Sequence, residues 1–134
     1  MMIEYVILAD AAEVVNGKLY MLGGGWTQLN FPQYPAPGRL AIAISLLADP
    51  TEIGTSQTFS IAILNPTGAP VMPPIQGEVQ VGPPADPTLQ SRAMLAINGN
   101  VQIPMPGTYQ IVVTAGATER RELVFNARLA VSMQ

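Results

Sequence analysis

"VVNGKLYMLGGGWTQLNFP", residues 14–32, contains an Asn-Gly pair, three consecutive glycines and the only tryptophan of the chain. The pair Asn16-Gly17 lies between strand-forming residues, and a type I′ turn requires positive φ at both central residues, which these two residue types tolerate. The pair therefore predicts a hairpin that joins Met2–Val15 to Lys18–Gly24 as neighbouring antiparallel strands. Because the first strand is long, we expect a bulge or bend within Ala9–Ala12.

The three glycines, Gly23–Gly25, do not have the surroundings of a phosphate-binding loop. Such loops are followed by a helix whose N-terminus faces the anion, and a P-loop also needs a Lys-Ser or Lys-Thr pair. Here prolines at 32, 35 and 37 exclude a helix, and no such pair follows. We therefore expect a β-bulge, a sharp bend or a close backbone approach, with Trp26 as a plug in the core or between sheets.

Alternation of apolar and polar residues, typical of half-buried β-strands, recurs along the chain. It is clearest in four segments, and weaker in two others at 77–81 and 91–99: "RLAIAISLL" (39–47), "TFSIAILN" (58–65), "TYQIVVTA" (108–115) and "ELVFNARLAV" (122–131). About eight short strands separated by turn signals predict an all-β fold, an antiparallel two-sheet β-sandwich over residues 1–134 as one domain. Tyr109, after a Pro-Gly turn, resembles the corner tyrosine of immunoglobulin-like sandwiches.

The strands at the N-terminus are apolar on both faces, with Ile3, Tyr5 and Ile7 on one side and Val6 and Leu8 on the other. Burial against a single second sheet does not explain this pattern. A strand covered on both sides would explain it, and so would a surface that meets another subunit.

Charged residues make up only 11% of the chain, against about 25% in ordinary soluble domains. The formal charge of −3 and the six scattered basic residues argue against a nucleic-acid partner. The longest apolar run, at 40–48, is far shorter than the roughly 20 residues of a membrane-spanning helix, and the N-terminal stretch lacks the basic region of a signal peptide. Together with the absence of cysteine, this predicts a soluble, cytoplasmic protein that does not bind membranes.

Histidine and cysteine are both absent, so the commonest general base, thiolate chemistry and the usual zinc ligands are missing. The nine acidic residues do not occur at EF-hand spacing. Glu119 and Glu122 flank two arginines, an arrangement more typical of a solvated charge cluster than of a catalytic pair. We therefore predict no catalytic residues, no metal site, no cofactor and no enzymatic activity.

The N-terminal sequence resembles an uncharacterised family of bacterial and phage-associated proteins, a domain of unknown function. In that family a strand ending near an acidic residue precedes a Gly-Lys-x-x-x-(Leu/Ile)-Gly segment. Gly17, Lys18, Leu22 and Gly23 match this segment, and Asp10 matches the acidic position. The resemblance extends to the segment 106–125 and implies a compact β-sandwich, but it assigns no activity.

Two functional hypotheses follow. The first is a non-enzymatic structural or protein-interaction protein that forms a homo-oligomer, or binds a protein partner, through its low-charge surface. The second is a small-ligand or carbohydrate-binding module that uses Trp26, Tyr34 and the proline-rich loops at 65–77 and 81–91 as an aromatic platform. Asp10, which closes an apolar strand, is the acidic candidate for such a site, but its position favours a structural role in which it accepts hydrogen bonds from backbone or Lys18 at a bend.

Overall fold

The computed structural model describes residues 1–130, which form ten β-strands and a short 3-10 turn at Pro50–Glu52. The strands in chain order are β1 (Met2–Ala9), β2 (Ala11–Val15), β3 (Lys18–Leu22), β4 (Gln28–Phe31), β5 (Ala36–Ala48), β6 (Ser56–Leu64), β7 (Ile75–Gln80), β8 (Ser91–Ile103), β9 (Gly107–Ala115) and β10 (Glu119–Leu129). They form three sheets, β1-β5-β8, β4-β10-β9-β6-β7 and β2-β3. Neighbours are antiparallel except β4 and β10, which are parallel. Within residues 1–130 no helix has the length and apolar character needed to cross a bilayer.

The all-β prediction is confirmed, but the structure has ten strands in three sheets where the sequence predicted about eight in two. One additional strand is β4, a four-residue segment beside a proline-rich stretch, in which exposed polar and partly buried apolar residues alternate. The predicted first strand is also divided, and its second half belongs to a separate sheet. Val131, assigned above to the last strand, lies outside the described residues.

The two larger sheets bury one apolar core between their inner faces. Tyr109 and Phe125 lie at its centre, fully buried and stacked with their ring centroids 5.1 Å apart. The Tyr109 hydroxyl donates to the Met105 carbonyl at 2.7 Å and accepts from the Met105 amide at 3.2 Å. This return to backbone four residues upstream is the contact expected of a corner tyrosine. The remaining fully buried large side chains are Ile3, Ile42, Ile44, Leu46, Ile61, Ile63, Val81, Ile103, Ile111 and Val113.

The predicted Asn-Gly hairpin is confirmed as β2-β3. Val15 pairs with Lys18, and Asn16 and Gly17 have φ angles of 52° and 70°, as a type I′ turn requires. The hairpin is shorter than predicted because the chain bends at Asp10. The residues before this bend form β1, which pairs with β5 rather than with β3.

The hairpin forms a third layer over the outer face of the β1-β5-β8 sheet. Its Ala12 packs with Ala9, Ala41 and Ala43, all buried, and these small side chains allow two backbones to approach closely. The Asn98 side chain of β8 accepts from the Ala12 amide at 3.0 Å and donates to the Ala12 carbonyl at 2.8 Å. Coverage on both sides explains why β1 and β5 are apolar on both faces.

A bulge in β1 corrects the predicted faces of this strand. The register shifts between Ile3 and Tyr5, so Ile3 joins Val6 and Leu8 in the core instead of sharing a face with Tyr5. Strict alternation would have placed Glu4 on the inner face. The bulge keeps this carboxylate out of the core, because a buried charge without a partner is costly.

Candidate functional site

The bend at Asp10 and the three glycines form one wall of an open depression of about 420 Å³. The strands β1 and β4 bring its residues together. The residues that line it are Asp10, Gly23, Gly24, Gly25, Trp26, Gln28 and Leu29. Two of the three candidate residues from the sequence, Asp10 and Trp26, therefore share a site.

Backbone hydrogen bonds hold the glycine segment against the end of β1. The Asp10 amide donates to the Leu22 carbonyl at 3.0 Å, and the Gly25 amide donates to the Leu8 carbonyl at 2.7 Å. Gly23 has a φ of +58°, and a Cβ placed on it would lie 2.3 Å from Asp10 Oδ2. Only glycine fits here without a shift of Asp10, so the predicted close backbone approach is confirmed.

Trp26 is partly buried and packs against the core, where its ring meets Phe125 edge-on with centroids 5.8 Å apart. Its indole Nε1 is buried and has no hydrogen-bond partner within the described residues. The expected role as a plug agrees with this packing. A platform for a ligand would use only the part of the ring that faces the depression.

Tyr34 does not line the depression. Its ring packs edge-on against Phe31 at 5.8 Å, and its hydroxyl donates to the Arg128 carbonyl at 2.6 Å. Burial raises the pKa of the Tyr34 hydroxyl above its usual value. This side chain ties the loop after β4 to β10, so the structure does not assemble the aromatic pair of the second hypothesis.

Several acidic side chains are engaged in ion pairs. Glu4 accepts from Arg92 Nε and Nη2 at 2.9 and 2.7 Å and from the Ser45 hydroxyl at 2.7 Å, and the Arg92 contacts lower the pKa of Glu4. Glu52 pairs with the amino group of Met1, which lowers the pKa of Glu52. Among residues 1–130, no three acidic side chains come close enough to hold a metal ion.

A second feature is the outer edge of β3. The residues of this edge were not identified from the sequence. This strand has β2 as its neighbour on one side, and within residues 1–130 no other strand joins its sheet. Three large apolar side chains of β3 are exposed: Tyr20 at 54%, Met21 at 36% and Leu22 at 72%. The only sequence signal was the apolar character of both faces near the N-terminus.

Two other strand edges are capped by side chains. Asn98 caps the edge of β2 through Ala12, as described above. On β1, the Ile3 amide donates to Glu119 Oε1 at 2.9 Å, and Arg121 Nη2 donates to the Ile3 carbonyl at 2.9 Å. Side chains thus occupy backbone groups that would otherwise be open to another strand.

The described residues define an all-β protein with a hairpin that covers one sheet, an open depression at Asp10 and an apolar strand edge at β3. A model of a family of unknown function, DUF6941, matches residues 4–128, and the chain belongs to this family. Comparisons with curated proteins and with solved structures find no match.

Proposed function

We propose that this chain is a non-enzymatic structural or protein-interaction protein that self-associates through its N-terminal hairpin. The observation that carries the proposal is the outer edge of β3, where exposed apolar side chains accompany backbone groups that pair with no other strand among the described residues. An edge of this kind is a template for pairing with another chain.

The hydrogen-bonding pattern of the hairpin indicates which backbone groups are available. In a two-residue hairpin the closing pair, Val15 and Lys18, is hydrogen-bonded, and such pairs alternate with non-hydrogen-bonded pairs along the ladder. Leu19 and Met21 therefore direct their N–H and C=O groups away from β2. The same alternation makes the Ala12 groups point outward on the other edge, where Asn98 binds them.

The low charge of the surface supports association. Well-behaved monomer surfaces contain roughly 25–35% charged residues, whereas this chain contains 11% in total. The hairpin strands hold one acidic and one basic residue, Glu13 and Lys18. Little electrostatic repulsion therefore opposes the approach of another strand to β3.

A non-enzymatic role is supported by the ways in which polar side chains are used. Glu4 and Glu52 pair with cationic groups, and Asp86 accepts from the Thr88 amide and hydroxyl in a loop turn. These contacts stabilise the fold, and within residues 1–130 no three acidic side chains come together. We also infer that the two larger sheets form an immunoglobulin-like sandwich, a view supported by the corner contact of Tyr109.

Light scattering coupled to size-exclusion chromatography tests self-association. We expect a mass of at least twice the 14.2 kDa of one chain at micromolar concentration. Tyr20→Lys and Leu22→Lys should reduce the mass to that of one chain, because a lysine on the edge opposes strand pairing. Val124→Lys is the matched control, since Val124 is 57% exposed but lies on β10. A one-chain mass for the unaltered protein would refute the proposal.

A second candidate function, binding of a small ligand or a carbohydrate, is favoured by the depression that Asp10, Trp26 and Gln28 share. Sugar sites combine an aromatic face with carboxylate or amide groups, and all three are present here. A glycan array is the test, with Gln28→Ala expected to lose the bound glycan and keep its stability. If no glycan is retained by the unaltered protein, this candidate fails; if Trp26→Ala abolishes folding, its plug role is supported.

The resemblance to bacterial and phage-associated proteins offers an independent way to separate the two candidates. Neighbouring genes for phage structural proteins would favour assembly, and neighbouring genes for sugar processing would favour ligand binding.

A further inference from the structure

We infer that the partner of the β3 edge is a second copy of this chain, paired antiparallel about a two-fold axis that passes beside Tyr20. The inference rests on the proposed self-association and specifies its geometry. The product is a four-stranded sheet in the order β2-β3-β3-β2, with the two β3 strands at its centre.

Charge favours the antiparallel orientation. Lys18 is the first residue of β3 and its only charged residue. In a parallel, in-register pair the two lysines would lie side by side, and like charges on adjacent strands are destabilising. In the antiparallel pair each Lys18 lies opposite Leu22 of the second copy. An isologous two-fold contact is also the commonest form of homodimer.

The outward-facing backbone groups determine the register. Leu19 and Met21 offer their N–H and C=O groups, so a new ladder must place them in hydrogen-bonded pairs. With Tyr20 at the axis, Leu19 pairs with Met21 of the second copy and Met21 pairs with Leu19 of the second copy. All five residues of β3 then have a partner within β3.

Alternative axes leave part of the edge unpaired. An axis at Leu19 places Met21 and Leu22 opposite Gly17 and Asn16, which are residues of the turn. The apolar side chains of Met21 and Leu22 then have no apolar partner on the second strand. An axis at Met21 places Leu19 and Lys18 opposite the glycine segment, where the chain leaves the sheet direction to pack beside β1. The Tyr20 axis avoids both losses.

The chosen register also brings the two Tyr20 side chains together. They form a non-hydrogen-bonded pair, in which Cα atoms are about 4.5 Å apart and side chains are closest. Aromatic cross-strand pairs of this kind stabilise antiparallel sheets. Tyr20 is 54% exposed in the single chain, so its ring is available for this contact.

Disulfide trapping tests the register, and the chain suits it because it contains no cysteine. A Tyr20→Cys variant should give a two-chain band on a non-reducing gel, since Cα separations of about 4.4–6.8 Å permit a disulfide. Lys18→Cys and Leu22→Cys should each remain largely one-chain. Each of these residues is offset by four positions along the strand from the same residue of the second copy, a distance of roughly 13 Å. The double variant Lys18→Cys/Leu22→Cys should cross-link, and it retains Tyr20 in case the tyrosine is needed for association.

The outcomes separate the register from self-association itself. If light scattering gives a multiple of the chain mass, but Tyr20→Cys does not cross-link and the double variant cross-links no more than Leu22→Cys alone, the register is wrong and self-association stands. If scattering gives a one-chain mass, both proposals fail. Val124→Cys controls for random collision and should show no more cross-linking than Lys18→Cys.

Discussion

Replacing Gly23 with alanine should destabilise the fold through two separable effects. The positive φ of +58° costs a non-glycine residue about 1–2 kcal/mol, and the new Cβ would lie 2.3 Å from Asp10 Oδ2, a clash that adds about 1–3 kcal/mol. Gly25→Ala is the matched control, since Gly25 has a φ of +84° but no atom within 4 Å of a built Cβ. We expect Gly25→Ala to cost only the backbone strain, and Gly23→Ala to cost clearly more.

The Asp10→Ala background isolates the clash. The Asp10 Cβ lies 3.4 Å from the built Cβ, an ordinary contact, so removal of the carboxylate should lower the cost of Gly23→Ala to that of Gly25→Ala. Urea unfolding followed by the fluorescence of Trp26, the single tryptophan, measures all four variants at one protein concentration. Stiffening of the unfolded chain affects both glycine variants alike and cancels in the comparison. Equal costs for Gly23→Ala and Gly25→Ala, or no relief from Asp10→Ala, would refute the reasoning.

Three further predictions concern hydrogen bonds and charge. Asn98→Ala should lower the free energy of unfolding by about 1–3 kcal/mol in urea titrations, because it removes both hydrogen bonds to Ala12. Asn98→Asp should lower this free energy more at neutral pH than at low pH, where the protonated acid can donate to the Ala12 carbonyl. Tyr109→Phe should cost about 1–3 kcal/mol in the same assay, because the partly buried Met105 carbonyl loses its donor, and an unchanged urea midpoint would contradict this. The Arg92 guanidinium holds the pKa of Glu4 below its usual 4.5, so the stability from this carboxylate is complete above that pH and is lost as the pH falls through the folded pKa. Glu4→Gln should therefore reduce the fall in urea midpoint between about pH 6 and pH 3, and an unaltered fall would exclude this pair as its source.

The strands that sequence predicted well are those whose environment is simple. β6 and β9 alternate strictly because one face meets the core and the other meets solvent. β1 does not, since its bulge at Glu4 changes which side chains face inward. The bulge directs Glu4 to Ser45 on the partner strand β5 and to Arg92 on β8, and both residues lie far away in the sequence.

The candidate site was predicted in part for similar reasons. Asp10 and Trp26 were both identified because a bend and a glycine segment have local signatures. Asn98 had no such signature, since its contact with Ala12 spans 86 residues and an isolated asparagine in a strand indicates nothing by itself. The β4 strand was missed because its ladder is with β10, where Gln28 lies beside Asn126.

Three alanines of the underlying sheet, Ala9, Ala41 and Ala43, contact the hairpin, and they contribute few apolar atoms. The attachment of the hairpin to the sheet therefore depends more on the two Asn98 hydrogen bonds than on buried apolar area. β5, by contrast, is held in the core by large aliphatic side chains. The hairpin should accordingly detach briefly from the sheet, so the amide protons of β2 should exchange with solvent faster than those of β5. The sheet surface that the hairpin leaves can accept the same hairpin from a second molecule. High protein concentration would therefore favour a domain-swapped dimer that exchanges the β2-β3 hairpins.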